Sequence, residues 1–205
     1  MSERAAAPPV PVIGLTGAIA AGKSAALAAL ERLGAETLSS DQVVHDILGA
    51  PEVAEQIAER WGEEAAPGRV VDRARVGSIV FDQPEELRWL ESLLHPLVGR
   101  RTVEWREGLP ADADLAVVEV PLLFETGMDA AFDATVCIVA NDETRAERAG
   151  ARGTDNLAER EAKQLSQVEK AARATHVVAN DGTPEELEAA LAELLPKLTA
   201  AGARA

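Results

Sequence analysis

Eight residues constrain this chain more than any others: Gly17-Ala18-Ile19-Ala20-Ala21-Gly22-Lys23-Ser24. They fit the pattern G-x-x-x-x-G-K-[ST], and their setting decides what the pattern means. The preceding run, Val10–Thr16, is apolar without polar alternation, as expected of a short strand buried on both faces. The stretch from about Gly22 puts Ala26, Leu30 and Leu33 on one helical face and reaches Gly34, a C-cap residue. A turn of this kind between strand and helix gathers backbone N–H groups around a phosphate, and the helix N-terminus adds partial positive charge. Lys23 would reach the β- and γ-phosphates of a nucleotide, and the Ser24 hydroxyl would ligate Mg²⁺. Gly17, Ala20, Ala21, Gly22, Lys23, Ser24 and Ala25 are therefore the candidate nucleotide-binding residues of the loop.

A strand buried on both faces needs neighbours on each side. Further strands are expected at Glu36–Ser39, Leu115–Leu123, Ala134–Ala140 and Thr175–Ala179. Helical patterns separate them. One starts at the N-cap residues Ser39, Ser40 and Asp41 and runs through Leu48; others span Asp142–Ala151, Asn156–Arg173 and Pro184–Leu198. This alternation predicts an α/β fold, a five-stranded parallel sheet with helices on both faces, within a single domain over residues 10–200. Residues 51–108 break the alternation. Pro51 and Pro84 stand at helix starts, and Leu87, Leu90, Leu94, Leu97 and Val98 recur at helical spacing, so an inserted helical lobe is expected over about 51–110. Residues 1–9 and 200–205 read as flexible tails.

Charge narrows the partners. With 20 Lys+Arg against 35 Asp+Glu the formal charge is −15 over 205 residues, which excludes a nucleic-acid or anionic-membrane surface. One cysteine, Cys137, excludes an intramolecular disulfide framework and an all-cysteine metal site; it reads as a small core residue. Residues 1–9 lack the apolar core of a signal peptide, and no apolar run is long enough to span a bilayer. The expectation is a soluble, cytoplasmic protein, a monomer or weak homo-oligomer.

Two further features bear on chemistry. The third long strand carries Val117-Val118-Glu119-Val120-Pro121, not the apolar run ending in Asp that an ATPase uses. Small P-loop kinases place a carboxylate at the end of the second strand instead, where this chain has Asp41; a helix N-cap is its alternative role. Between Arg145 and Arg173 the local charge is +2, in a protein of −15. Arg145, Arg148 and Arg152 are spaced i, i+3, i+7 on one helix face, where planar donors match a transferring phosphoryl group. A solvated face of ordinary ion pairs is the alternative for each of them.

Three separated blocks resemble dephospho-CoA kinase, a P-loop kinase of the nucleoside-monophosphate-kinase group. The first is Ile13-Gly14-Leu15-Thr16-Gly17 with Gly22-Lys23-Ser24, followed by Ser39-Ser40-Asp41. The second is Trp89-Leu90-Glu91 with Leu94-His95-Pro96-Leu97-Val98, and the third is Val120-Pro121-Leu122-Leu123-Phe124-Glu125. A weaker match runs through Arg160, Gln164 and Lys170 to Asn180-Asp181-Gly182. The resemblance implies ATP with Mg²⁺, dephospho-CoA as acceptor and transfer of the γ-phosphoryl group to its ribose 3′-hydroxyl. It implies catalytic roles for Asp41, Lys23, Arg148 and Thr16, with Arg152 as a second nucleotide-side arginine. It also implies an acceptor-binding inserted lobe and a lid over about 148–172. His95 is taken as a structural hydrogen-bonder at a helix junction, and His45, four residues beyond Asp41, as either cleft-facing or a partly exposed helix residue.

The chain departs from the family at several places. Ala18 and Ala20 replace glycines, Ala25 replaces a hydroxyl residue, Ser39-Ser40 replaces a more acidic pair, and Thr175 stands where aspartate is common. An alanine forced to positive φ costs on the order of 1 kcal/mol, so a strained loop is expected. Two other readings stay open at this stage: a P-loop kinase of another nucleoside or nucleotide, and an ATP-binding regulator without turnover. The absence of Tyr, with only three Phe and three Trp, weighs against the first. The presence of Lys23, Asp41 and the arginines weighs against the second.

Overall fold

The computed structural model describes residues 10–151 and 164–204. They divide into two compact units, a sheet unit and a helical unit comprising Ser40–Gly108. The sheet unit holds β1 (Val12–Gly17), β2 (Glu36–Ser39), β3 (Ala116–Glu119), β4 (Ala134–Val139) and β5 (His176–Ala179), all parallel, in the order β2-β3-β1-β4-β5. The central strands β1 and β3 are buried throughout and the edge strands β2 and β5 are not, which is why the former read as unbroken apolar runs.

One face of the sheet, built from Ile13, Leu15, Val117, Val136 and Ile138, packs against α1 (Lys23–Arg32) and the last long helix through Leu30, Leu187, Leu191 and Leu198. The sheet unit also contains α6 (Asp142–Ala151), α7 (Gln167–Arg173) and α8 (Pro184–Thr199). The helical unit contains α2 (Ser40–Leu48), α3 (Pro51–Trp61), α4 (Arg73–Asp82) and α5 (Pro84–Glu107). Pro51, Pro84 and Pro184 each start a helix, where a missing N–H costs nothing. Among the described residues no helix is long and apolar enough to cross a membrane.

Three expectations are corrected. The third long strand ends at Glu119, not Leu123: Pro121 has no N–H for the ladder, and the chain turns there, with Thr126 N donating to Leu122 O and Met128 N to Leu123 O. The helix expected over Asn156–Arg173 starts at Gln167 in its described part, because Ser166 caps it reciprocally with Glu169. Residues 152–163, including Arg152, Arg160 and Lys163, lie outside the described residues. His95 is not at a junction. It is an exposed residue inside the continuous α5, which runs on through Pro96.

Candidate active site

β1 lies between β3 and β4; the chain passes from β1 through α1 to β2, beyond β3 on one side, and later from β3 across to β4 on the other. The carboxyl end of β1 is thus a topological switch point, the place where open parallel sheets bind ligands. Gly17–Ser24 occupies that end. Gly17 has φ 154°, and a Cβ there would collide with the Ile138 carbonyl of β4. Gly22 has φ 100°, and a Cβ there would strike the Asn180 amide. Only glycine fits either position, so the two fixed glycines of the motif answer to two separate close approaches.

Gly22 is also the N-cap of α1 and supplies no capping side chain, and the first turn contains no acidic residue. The helix start is therefore left to an anion. Lys23 Nζ lies 3.2 Å from Gly17 O and 3.1 Å from Ala18 O, folded back over the loop. Ser24 and Ala25 are exposed in the first turn, whereas Ala20 and Ala21 are buried. Of the two alanines expected to bear strain, Ala20 takes positive φ (60°) and Ala18 does not.

Arg148 on α6 reaches the same loop. Its Nη1 donates to Asn180 O at 2.9 Å and lies 3.6 Å from where a Gly22 Cβ would stand. Asn180, itself 5% exposed, donates its side-chain amide to Ala21 O at 2.9 Å. Two cations, Lys23 and Arg148, and a buried amide thus converge on one phosphate loop. The fellow candidate Arg145 instead pairs with Asp142 at 2.8 Å on its own helix. The sequence marks Asn180 only as the end of a weak family match, with no role at the loop. Its Asn-Asp-Gly setting signals a turn, and no local feature signals its bond to a loop 159 positions away.

Thr16, wholly buried on β1, donates its hydroxyl to Pro121 O at 3.3 Å. Glu119, at the end of β3 and 5% exposed, accepts from the Ser39 hydroxyl at 3.1 Å. It is a carboxylate on the strand next to β1 that the sequence pattern disguised, since Glu stands where Asp is usual. Cys137, in register with Thr16, is fully buried, and burial pushes its thiol up to about 11. Thr175 exchanges bonds with Thr135 at 3.0 and 3.1 Å, so hydroxyls join the start of β5 to β4.

In the helical unit, Asp41 stands exposed one residue inside α2, two positions beyond the end of β2. It is therefore a first-turn residue of the helix rather than its cap. His45, one turn further along, meets the Arg73 guanidinium through Nδ1.

Strand order, loop position and the two converging cations define a P-loop kinase of α/β fold. Comparison with known proteins carries this further. The family model for dephospho-CoA kinase matches residues 11–186. A dephospho-CoA kinase of Thermus thermophilus is 37% identical over 191 residues, covering 92% of this chain and 92% of the relative. A solved structure from Thermus thermophilus is similar at a TM-score of 0.79 and 36% identity, covering 92% of this chain and 98% of its own. The dephospho-CoA kinase structure from Campylobacter jejuni shares the fold, with a TM-score of 0.62 at 23% identity over 92% of this chain and 97% of that one. The chain belongs to the dephospho-CoA kinase family and is a kinase that transfers phosphate to an alcohol.

Proposed function

We propose that this chain transfers the γ-phosphoryl group of ATP to the ribose 3′-hydroxyl of dephospho-CoA, giving coenzyme A and ADP. The observation that carries the nucleotide half is the convergence of Lys23 and Arg148 on a phosphate loop at the switch point of the sheet. Family membership across residues 11–186 carries the acceptor half.

In this reading the loop N–H groups of Gly17–Ala25 and the start of α1 hold the β- and γ-phosphates. The 3′-oxygen attacks the γ-phosphorus, the bond from that phosphorus to the ADP oxygen breaks, and the hydroxyl proton passes to the Asp41 carboxylate. Lys23 and Arg148 neutralise charge on the transferring group; losing one such donor costs roughly 10²–10³-fold in kcat. Arg152 is a second arginine for the same charge. Thr16 orients the acceptor side of the loop. The helical unit Ser40–Gly108 takes the body of the acceptor.

Mg²⁺ fits the donor chemistry available. The Ser24 hydroxyl is exposed in the first turn of α1, and Glu119 offers a carboxylate at the adjacent strand end, both hard oxygen donors. Ser24 would hold the ion, which would supply positive charge against the charge developing on the transferring phosphoryl group.

The test is ADP release by the purified chain with Mg-ATP and dephospho-CoA, beside adenosine, AMP and other nucleosides. Turnover that depends on dephospho-CoA, with coenzyme A identified by mass, is expected. Turnover with a different acceptor alone would reject the substrate, and ATP binding without any turnover would reject the reaction.

A further inference from the structure

Lys170 plays no part in the phosphate chemistry above, yet its side chain is 0% exposed. Burying an ammonium is costly unless it is both paired and hydrogen-bonded. Here its donors are all directed. Nζ donates to Pro121 O at 2.6 Å, lies 3.0 Å from Glu125 Oε1 and reaches Gln164 Oε1 at 3.5 Å. Filling that space needs no cation, since methionine has a similar shape without the desolvation cost. What the ammonium adds is a directional hold on one backbone carbonyl.

That carbonyl is shared. Pro121 O also accepts the hydroxyl of Thr16, the residue directly before the phosphate loop. β3 lies between β1 and β2, so the Pro121–Phe124 turn leaves the sheet between the phosphate loop and the strand that leads to Asp41. The rest of α7 grips the same edge. Arg173 Nη1 donates to Phe124 O at 3.2 Å, and the Gln167 amide makes two bonds to the Ala140 backbone, 3.0 and 2.9 Å, just beyond β4. Glu125 Oε1 accepts from Leu165 N at 2.9 Å as well as from Lys170.

We propose that Lys170 is a positioning residue for phosphoryl transfer: its ammonium, neutralised by Glu125, locks the Pro121 carbonyl and the Thr16 hydroxyl into one arrangement and so sets the acceptor side of the site. The inference rests on the kinase reading given above.

Two variants separate positioning from simple support. Lys170→Met leaves the Glu125 carboxylate without its cation and destabilises the fold. Adding Glu125→Gln removes the stranded charge, and near-normal thermal stability is expected of the double variant. Its kcat/KM for dephospho-CoA should still fall about ten- to a hundredfold, because small misplacements of a reacting group cost that much. Affinity for a non-hydrolysable ATP analogue should stay within about twofold, since no loop contact is touched. Hydrogen exchange at the amides of residues 122–125 should be faster than in the natural chain. A double variant with normal kcat/KM and normal exchange would overturn the proposal, as would an equal loss of analogue affinity. If the natural chain turns over no dephospho-CoA, the kinase reading fails on its own, and the exchange at 122–125 still decides whether Lys170 orders this turn.

Discussion

In the sheet unit β1 and β3 bury every residue they contain, whereas the 24-residue α5 of the helical unit buries only Leu90 and Leu94. To its buried residues, Val53, Ala54 and Ile57 among them, the helical unit adds polar and aromatic contacts near its surface. Arg60 makes a two-bond contact with Glu86 at 3.0 and 2.8 Å, and Trp61 Nε1 donates to the same carboxylate at 2.7 Å. Trp61 and Trp89 meet edge-on at 4.9 Å, with the Arg60 guanidinium 5.6 Å above the Trp89 ring. Apolar burial carries no charge to titrate or screen; the Arg60–Glu86 pair is weakened by salt and by protonation of the carboxylate. The contrast therefore separates strands held by apolar burial from a helix that leans on charged and aromatic contacts at its surface.

The sharpest way to break this division is chemical. Asp41→Asn should lower kcat about 10²–10⁴-fold while leaving ATP affinity unchanged, measured by turnover and by titration with ATP. Normal turnover would mean that the first turn of the helical unit takes no part in proton transfer.

The energetic contrast comes next. Leu30→Ala in the fully buried sheet core should cost about 2–5 kcal/mol in urea unfolding. Leu87→Ala on α5, where the side chain is 39% exposed, should stay within about 0.5 kcal/mol. Equal losses would refute the comparison.

Nature has placed separate probes in the two units. All three tryptophans, Trp61, Trp89 and Trp105, lie in the helical unit, and Cys137 lies in the sheet. With its thiol at about 11 and fully buried, Cys137 should resist disulfide reagents at pH 8 in the native protein. Tryptophan fluorescence should change at a lower urea concentration than the one that exposes Cys137. Coincident transitions would show one cooperative unit instead of two.

Two smaller effects refine the picture. Ala20→Gly relieves about 1 kcal/mol of left-handed strain and gives back about 0.5 through the freer unfolded chain, for a net gain of about 0.5 kcal/mol. A loss of stability would show that the loop tolerates alanine there without strain. Acid should act on the other unit. The Arg60 guanidinium, and then the Trp61 N–H, hold the Glu86 carboxyl below its ordinary value near 4.5. The stabilisation this gives is present above that value and fades as pH falls through the lowered one. Tryptophan fluorescence should follow that fading, and Glu86→Gln should abolish it.

Much of this was legible in the chain because the signals are local. The phosphate loop, the apolar runs of β1 and β4, the Pro-led starts of α3, α5 and α8, and the span Glu36–Ser39 each declare themselves within a few residues. Errors fell where a boundary depended on a ladder partner or a cap that hydrophobic periodicity does not register. β3 reads as apolar as far as Leu123, but its ladder stops at Glu119, the residue in register with Leu15 of β1 and Ser39 of β2. The described part of α7 begins at Gln167 because Ser166 caps it, although the helical pattern runs on toward Asn156.

The site divides in the same way. Backbone geometry and side-chain type, both local properties, determined that Gly22-Lys23-Ser24 follows a buried strand and opens a helix, the setting of a phosphate loop. Only the tertiary structure decided that Asn180 grips Ala21, that Arg148 grips Asn180 and that Lys170 is sealed beneath Pro121. Each of those bonds joins residues between 32 and 159 positions apart. A hydrogen bond across such a separation depends on the order of the strands, and no short-range pattern in the chain encodes that order.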